Sequence, residues 1–317
     1  MHEPTVYING NFVPASEARV SVFDRGFRLG DAVFDTTRTF RHRPYLLREH
    51  IERLKRSLHY TRLDLGMSFE QLEHITLEVV ERNRPLWAEN DDVWIHQVVS
   101  RGRLRTVGAP TVVIMTEPLP FASFARFYKL GVSLITPSIR HTPPQCVEPR
   151  VKTVSRLNLV LAELEAQQAD PEAYALLLDL EGNITEYTSG NFFIVRQGCL
   201  ITPFDRTSLG GIARETVLGF AEELGIPTRE ADITTYDACN ADEAFITSTS
   251  KCILPVARLN GLHIGTSVPG PVTKRLLDTW SARVEVDIVA QALSHLDTAQ
   301  LQALERQGAP AGKVTVA

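Results

Sequence analysis

The sequence has few cysteines, and their arrangement argues against two kinds of site. Four cysteines occur in 317 residues, at Cys146, Cys199, Cys239 and Cys252. They form neither a CxxC pair nor a Cys/His cluster at the spacing of a zinc site. We therefore expect four free structural thiols and no metal site.

The chain also lacks an excess of positive charge and any long apolar run. Its formal net charge is -5, which provides no basic field for a nucleic acid or an anionic membrane, so we expect neither as a partner. The opening stretch MHEPTVYINGNFV has no basic segment followed by an apolar one, and no run of about 18 apolar residues occurs. We expect a cytoplasmic protein.

What is present is enough apolar material for a large core. Hydrophobic residues make up 44% of the chain and charged residues 22%, and the length suggests two domains. The stretch EPLPFASF, rich in proline and small residues, marks the boundary. We place a small N-terminal domain at residues 1–120, a linker at 121–129, a large domain at 130–290 and a tail at 291–317, in which leucines recur at helical spacing.

Hydrophobic periodicity predicts a sheet covered by helices in the first half. The run TVYINGNFV alternates around Asn9-Gly10, which is typical of a hairpin, and AVFDTTRTF followed by RHRP predicts a second one. Helical spacing follows twice, and the second helix is expected to bury Leu72, Ile75, Leu77 and Val80. The predicted helices span residues 48–60 and 69–82, and the predicted strands span 93–99 and 111–115.

The second half alternates short apolar runs with helical patterns. VSLIT, YALLLD, NFFIV and EAFIT are the candidate strands, and the candidate helices span residues 157–168 and 212–224. GPVTKRLLDTWSARV predicts one more amphipathic helix near the end. Both halves are therefore expected to be mixed α/β.

One lysine and one carboxylate in the second half could carry chemistry together. Lys152, in VKTVSRLN, has apolar neighbours that would remove solvent from its amine and lower its pKa, so that it can form a Schiff base with pyridoxal 5′-phosphate. Glu186, in NITEYTSGNFF, would face the pyridine nitrogen, and a carboxylate there makes the ring an electron sink. Without further motifs, two solvated surface charges would be the favoured interpretation of the pair.

The surrounding motifs supply that context. NITEYTSGNFFIVRQGCLITP, LGGIARETVLGFAEELGI and EAFITSTSKCILPVARLNG, together with SVFDRGFRLGDAVFDTTRTF and LREHIERLKRS, resemble the class IV, fold type IV, pyridoxal-phosphate aminotransferases. That family includes branched-chain and D-amino-acid aminotransferases, (R)-selective amine transaminases and aminodeoxychorismate lyase. The resemblance covers about residues 6–285 and implies a small α/β domain followed by a larger, barrel-like α/β domain.

The same resemblance implies catalytic and cofactor-binding residues. Lys152 and Glu186 would be catalytic, and Arg53 would grip the phosphate in paired, charge-assisted bonds. The free amides that open a helix at Gly211-Ile212-Ala213 suit the same anion, although relatives commonly carry threonine at position 213. The remaining cofactor residues implied are Leu209 against the ring and Ser248 and Thr249 at the phosphate.

The substrate residues implied by the resemblance give mixed signals. Phe34 matches branched-chain enzymes, whereas VVSRGRLR resembles the arginine-bearing loop of D-amino-acid enzymes. Leu157 stands where branched-chain enzymes tend to carry a tyrosine that reaches the phenolic oxygen of the cofactor. Arg103 and Arg105 could pair a substrate carboxylate or belong to a solvated loop. The other candidate substrate residues are Thr36, Arg38, Trp94 and Ser250.

The function expected from the resemblance is ping-pong transamination between an amino acid or primary amine and a 2-oxo acid. The donor could be a branched-chain amino acid, a D-amino acid or an (R)-amine. Two alternatives remain at this point: a lyase that releases pyruvate from aminodeoxychorismate, and a non-catalytic protein that binds the cofactor. The family's sites also borrow a loop from a second subunit, so we expect a homodimer with active sites at the interface.

Overall fold

Two β-sheets organise the protein, and each uses a separate stretch of chain. The structure is a computed structural model that describes residues 3–103 and 109–308. The first sheet is antiparallel, with strand order β2–β1–β6–β5–β3–β4. Its strands are β1 (Thr5–Ile8), β2 (Asn11–Pro14), β3 (Ala32–Phe40), β4 (Arg43–Pro44), β5 (Val93–Ser100) and β6 (Thr111–Pro118).

Both predicted hairpins of the first sheet are confirmed, and backbone geometry explains their turns. Asn9 and Gly10 have φ values of 47° and 93°, the left-handed pair that a two-residue hairpin turn requires. Arg41 and His42 form the second turn with φ values of 51° and 64°. The strand after this turn is only two residues long, because Leu46 turns into the next helix with φ 54°.

Three helices accompany the first sheet: α1 (Arg25–Leu29), α2 (Leu47–Thr61) and α3 (Phe69–Asn83). The two predicted long helices are confirmed, and a capping box between Ser68 and Gln71 begins α3. The expected burial of Leu77 is wrong, because it is 40% exposed. The buried stripe that starts at Leu72 continues through Thr76 and Val79, which follow it at i+4 and i+7.

The second sheet closes into a barrel, as the resemblance implied. Strands β10, β13, β14, β7, β8 and β9 pair in this order, and β9 pairs back to β10. Phenylalanines such as Phe192, Phe193 and Phe245 are fully buried in its core. The strands are β7 (Val132–Ile135), β8 (Tyr174–Leu178), β9 (Ile184–Tyr187), β10 (Gly190–Arg196), β11 (Cys199–Thr202), β12 (Thr228–Glu230), β13 (Glu243–Ser248), β14 (Cys252–Leu259) and β15 (Leu262–His263).

The helices after the first sheet include two inside the predicted linker. Phe121, Phe124, Phe127 and Tyr128 are buried there, so this segment belongs to the packed core. The predicted tail begins within α10, and residues 309–317 lie outside the described residues. The helices are α4 (Phe121–Phe124), α5 (Phe127–Leu130), α6 (Leu157–Ala169), α7 (Ile212–Glu223), α8 (Thr235–Cys239), α9 (Pro271–Val284), α10 (Ile288–Leu293) and α11 (Thr298–Gly308), and short 3-10 turns lie at Ala15–Glu17, Arg84–Leu86 and Asp205–Thr207.

Each of the two sheets is formed by its own continuous stretch of the sequence. This favours the two-domain division, which remains a prediction. All four cysteines are free thiols, as expected. None of the described helices combines the length and the apolar composition of a membrane span.

Candidate active site

A cavity of about 250 Å³ brings together the main residues singled out from the sequence. Its walls come from β3, from the connection between β7 and α6, from β9 and from the segment before α7. Phe34, Lys152, Glu186 and Leu209 all line it. The structure therefore places the predicted lysine and the predicted carboxylate in one pocket, although they are far apart in the chain.

Lys152 is half-buried in this pocket and held by its backbone. Its carbonyl oxygen accepts a hydrogen bond from the amide of Phe34 at 3.0 Å, and its amide donates to Ser57 Oγ at 3.3 Å. Nζ lies 4.8 Å from the centre of the Phe34 ring. Burial, and then the nearby Arg53 charge, lowers the pKa of Lys152 to about 7. Much of the amine is therefore unprotonated at neutral pH, as a nucleophile requires.

Glu186 is buried on β9 and has two fixed partners. Oε2 accepts a hydrogen bond from the amide of Leu209 at 3.2 Å, and Oε1 lies 3.0 Å from His141 Nε2. The other ring nitrogen of His141 lies 3.2 Å from the carbonyl oxygen of Thr142. A carbonyl and a carboxylate only accept hydrogen bonds and a neutral imidazole donates only one, so this geometry favours the doubly protonated ring.

The pKa of His141 agrees with this geometry. Burial alone would lower it, but the hydrogen bond to Glu186 and the charge of that carboxylate raise it above its ordinary value. Glu186 therefore faces the pocket with His141 as a fixed hydrogen-bond partner. His141 was missed in the sequence, because nothing local connects it with a residue 45 positions later.

The start of α7 has the features expected of an anion site. Among the described residues no side chain caps this helix, so its first amides are free to donate to a ligand. A side chain at Gly211 would put its Cβ 2.0 Å from Asn191 Oδ1, so only glycine lets the chain approach here. Asn191 Nδ2 in turn donates to the carbonyl oxygen of Leu209 at 2.9 Å. Ile212 and Ala213 supply the amides, as the resemblance implied.

Arg53 points one edge of its guanidinium at the same place. Its Nε and Nη2 donate to the two oxygens of Asp35 at 2.8 and 2.7 Å, while Nη1 lies 3.3 Å from the carbonyl oxygen of Gly210. His50 Nδ1 also lies 2.7 Å from Asp35 Oδ1. Burial opposes the ionisation of Asp35, but Arg53 and His50 outweigh it and hold the pKa of this carboxyl far below its usual range.

Asp35 and His50 therefore orient Arg53, the arginine expected at the phosphate, and both were missed in the sequence. The spacing of His50 and Arg53 on one face of α2 was an available signal. Asp35 is paired with them only through the fold, since β3 packs against α2.

The serine and threonine residues expected at the phosphate occupy the turn between β13 and β14. Ser248 Oγ lies 3.5 Å from Ser250 Oγ and accepts from the amide of Lys251 at 3.3 Å. Arg38 Nη1 donates to the carbonyl oxygen of Ser250 at 2.9 Å. Arg38 is only 1% exposed, so its placement supports a role in holding this turn. Thr249 lies between the two serines and is half-buried.

The other substrate residues predicted from sequence are placed less uniformly. Thr36 Oγ1 lies 2.9 Å from His96 Nδ1, and Trp94 packs beside the same histidine. Arg103 is exposed, with its guanidinium 5.9 Å from the centre of the Phe23 ring. Arg105 lies outside the described residues. Leu157 is 71% exposed, and its neighbour Arg156 lines the pocket instead.

The donor set fits a cofactor that carries an aldehyde, a ring nitrogen and a phosphate. The amine of Lys152 suits the aldehyde, and Glu186 suits a protonated ring nitrogen. The uncapped start of α7, Gly211 and Arg53 suit the phosphate. Lys152, Glu186, Leu209, Arg53, Ile212 and Ala213 are the residues that would hold such a group.

Comparisons with known proteins identify the family of the chain. A family model described as amino-transferase class IV matches residues 32–259. The chain is 36% identical to a putative branched-chain-amino-acid aminotransferase of Methanocaldococcus jannaschii, over 87% of this chain and 94% of the relative. It is 32% identical to the D-alanine aminotransferase of Bacillus licheniformis, over 86% and 94%.

Solved structures give the same result for the fold. The branched-chain aminotransferase of Thermoproteus uzoniensis with norvaline aligns with a TM-score of 0.80 at 29% identity, over 93% of this chain and 98% of that one. A second branched-chain amino acid aminotransferase, complexed with N-(5′-phosphopyridoxyl)-L-glutamate, also aligns at 0.80, with 28% identity over 89% and 94%. The resemblance and the fold class expected from the sequence are both confirmed.

Proposed function

Since the chain belongs to the class IV aminotransferase family, we propose that its amino donor is an α-amino acid with an apolar side chain and its acceptor a 2-oxo acid. The chain is a pyridoxal 5′-phosphate-dependent transaminase. The substrate proposal is carried by the pocket beside Lys152, where Phe34, Val151 and Leu159 provide an apolar wall. Branched-chain aminotransferases similar to this chain have been solved with 4-methylvaleric acid, a carboxylic acid, and with norvaline, an α-amino acid, and both have apolar aliphatic chains.

Each part of the site has a task in the transfer. Pyridoxal 5′-phosphate supplies, when bound, an aldehyde that takes up the amino group and a ring that accepts the electron pair released at the donor's Cα. Arg53 and the amides of Ile212 and Ala213 hold the phosphate. Glu186, which His141 holds in place, would accept a hydrogen bond from the protonated ring nitrogen and so help to retain that proton.

Lys152 moves the proton. Its amine takes the proton from the Cα of the donor and delivers it to the cofactor carbon that is bonded to the transferred nitrogen. A pKa near 7 suits both steps, because the group gains and loses a proton at similar cost near neutral pH. The oxo acid formed from the donor leaves before the acceptor enters, so the two half-reactions share one pocket.

A donor and acceptor panel tests the proposed substrates. Purified enzyme is offered L-leucine, L-valine, D-alanine and an (R)-arylalkylamine, each with pyruvate or 2-oxoglutarate, and the new amino acid is quantified. We expect turnover with α-amino acids and much less with the amine that lacks a carboxylate. Turnover of the amine alone would contradict the proposal, and release of pyruvate from aminodeoxychorismate would favour the lyase. The comparisons do not favour that alternative, because the relatives they name are aminotransferases.

We propose that the working unit is a homodimer. Two exposed apolar segments meet beside the pocket, where Ser155 Oγ donates to the carbonyl oxygen of Gly30 at 3.1 Å. Phe23 and Phe27 on one segment are 54% and 75% exposed, and Leu157 and Leu164 on the other are 71% and 52% exposed. Exposed apolar side chains on two segments that contact each other are typical of a subunit interface.

A charge placed in this patch tests the dimer. Leu164→Asp should shift the protein towards a monomer in sedimentation velocity and lower its activity. Leu262→Asp is the matched control, because Leu262 is also exposed, at 60%, but lies on β15. A fully active wild-type monomer would contradict the proposal. The pairing of Arg103 and Arg105 with a substrate carboxylate, the D-amino-acid and (R)-amine alternatives and the cytoplasmic location remain predictions.

A further inference from the structure

A route of buried polar contacts joins the turn between β13 and β14 to helix α10. Arg38 Nη1 donates to the carbonyl oxygen of Ser250 at 2.9 Å, and Nη2 lies 3.6 Å from Asp92 Oδ2. The same carboxylate oxygen accepts a hydrogen bond from Gln291 Nε2 at 2.7 Å. Arg38 and Asp92 are each 1% exposed, so solvent screens their interaction little. Four segments that are far apart in the sequence therefore meet at one buried ion pair.

The carboxylate of Asp92 depends on Gln291 for one of its two oxygens. Oδ1 accepts from Thr39 Oγ1 at 2.6 Å and from the amide of His42 at 3.1 Å. Within the part of the chain that the structure describes, Oδ2 accepts a hydrogen bond only from Gln291, and Arg38 Nη2 has no acceptor. The 3.6 Å between Nη2 and Oδ2 is the distance of an ion pair and is too long for a hydrogen bond. Gln291 therefore satisfies an oxygen that would otherwise draw the guanidinium towards it.

The packing of α10 fixes the place of Gln291. Ala292 is fully buried, and the helix packs against α4. Just after the helix, the ring of His295 stacks on Phe121 with 4.5 Å between the ring centres. The family model matches residues 32–259, so this support comes from a part of the chain that the model does not include.

At its other end the route holds the turn that carries Ser248 and Thr249. Ser248 Oγ accepts from the amide of Lys251 at 3.3 Å, and the carbonyl oxygen of Lys251 accepts from Tyr128 Oη at 2.7 Å. The hydrogen bond from Arg38 is a second anchor of the same backbone. A shift of the guanidinium would therefore move the two side chains expected at the phosphate.

We propose that Gln291 is a positioning residue of the active site, which acts through Asp92 and Arg38 on the turn that carries Ser248 and Thr249. While its amide satisfies Asp92, the guanidinium stays bonded to the turn. Without that amide a buried carboxylate oxygen would lack its hydrogen bond, and a free donor, Arg38 Nη2, lies 3.6 Å away. Arg38 would then move towards Asp92, and the turn would lose an anchor. The proposal rests on the transaminase function and on the expected place of Ser248 and Thr249 at the phosphate.

The affinities for two forms of the cofactor test the proposal. The substitution Gln291→Met keeps the length of the side chain but removes its donor. Apoenzyme of the wild type and of this variant is titrated with pyridoxal 5′-phosphate and with pyridoxal, which lacks the phosphate. In Gln291→Met we expect the dissociation constant of pyridoxal 5′-phosphate to rise about three- to tenfold, the effect of one hydrogen bond, and that of pyridoxal to stay unchanged. A general loosening of the fold would instead weaken the binding of both.

Gln302→Met is the matched control, because it makes the same substitution at an exposed residue of α11. Both of its dissociation constants should equal those of the wild type. A second arm tests the route itself with Arg38→Lys, which keeps the charge but loses the planar fork that reaches the turn and Asp92 together. Adding Gln291→Met to Arg38→Lys should weaken the binding of pyridoxal 5′-phosphate no further, because the effect of Gln291 passes through Arg38.

Three outcomes would overturn the proposal. The first is an unchanged dissociation constant of pyridoxal 5′-phosphate in Gln291→Met. The second is an equal loss of affinity for pyridoxal 5′-phosphate and for pyridoxal. The third is a double variant in which the binding free energies lost by the two single variants add, which would show that Gln291 acts without Arg38. A wild type whose cofactor cannot be fixed on Lys152 by borohydride would refute the function itself, and this proposal with it.

Discussion

His141 Nε2 lies 3.0 Å from Glu186 Oε1, and the two residues stand 45 positions apart in the chain. The contact gives the carboxylate that faces the pocket a fixed partner within the protein. The other nitrogen of His141 lies 3.2 Å from the carbonyl oxygen of Thr142, so the two contacts together favour a doubly protonated ring beside Glu186.

This pair predicts a pH-dependent part of the protein's stability. The pKa of His141 is raised in the folded state, so its contribution is fully present below the ordinary value of 6.5 and is lost as pH rises through the raised value. His141→Asn should lower the free energy of unfolding of the apoenzyme by about 1 to 2 kcal/mol at low pH, with a gap that narrows as pH rises. Denaturant titrations over this range measure the gap, and a gap that stays constant would contradict the charged pair.

A second prediction concerns the reactivity of Lys152 in the apoenzyme. Its pKa of about 7 means that half of the amine is free near neutral pH, whereas an ordinary lysine needs a pH of about 10.4. Competitive acetylation at a series of pH values, read by peptide mass spectrometry, should give Lys152 a midpoint near 7. The exposed Lys129 serves as the internal reference. A midpoint for Lys152 at the ordinary lysine value would show that burial does not activate the amine.

The third prediction tests the role of Glu186. Glu186→Gln should still bind the cofactor but turn over about 100-fold more slowly, which corresponds to about 3 kcal/mol in the barrier, because an amide does not keep the ring nitrogen protonated. Glu148→Gln is the control, since Glu148 also lines the pocket but pairs with Arg150. Equal rates for the wild type and Glu186→Gln would show that another group serves the ring nitrogen.

A fourth prediction addresses the support of the phosphate arginine. Asp35→Asn removes the charge that fixes one edge of the Arg53 guanidinium through Nε and Nη2. The dissociation constant of pyridoxal 5′-phosphate should rise about tenfold, equivalent to about 1.4 kcal/mol, as measured by equilibrium dialysis. Asp31→Asn, which removes the partner of Arg25 and Arg101, should leave it unchanged. If both variants bind the cofactor like the wild type, Asp35 does not orient Arg53 for binding.

Turn residues and the spacing of apolar residues were sufficient to predict most of the fold. The left-handed turn at Asn9-Gly10 and the apolar spacing of α2 depend on neighbouring residues only, so both could be predicted. The burial of Leu77 was predicted wrongly, because the choice between adjacent helical stripes is made by the sheet against which α3 packs. The helices at Phe121 and Phe127 were missed for a similar reason, since proline and alanine nearby resemble a linker while the aromatic rings fill the core.

The prediction of the site from the sequence has the same limit. Lys152, Glu186 and Arg53 could be identified because they lie in motifs, whereas Asp35, His50 and His141 contact them across the fold. Arg156 and Leu157 are neighbours in the sequence, and only the start of α6 decides which of them faces the pocket. Contacts between distant segments, and the rotation of a helix about its axis, are tertiary properties that one sequence does not show.

The central claim is that Lys152 holds the cofactor and moves the proton, and Lys152→Ala tests it most directly. The purified variant, loaded with pyridoxal 5′-phosphate, is compared with the wild type for amino transfer to a 2-oxo acid, and both are reduced with borohydride and mapped by mass spectrometry. We predict that the variant still binds the cofactor without a covalent link, because the contacts of Arg53 and α7 remain, and that its turnover is abolished. Wild-type activity in Lys152→Ala, or a pyridoxyl group on another lysine of the active wild type, would contradict the claim.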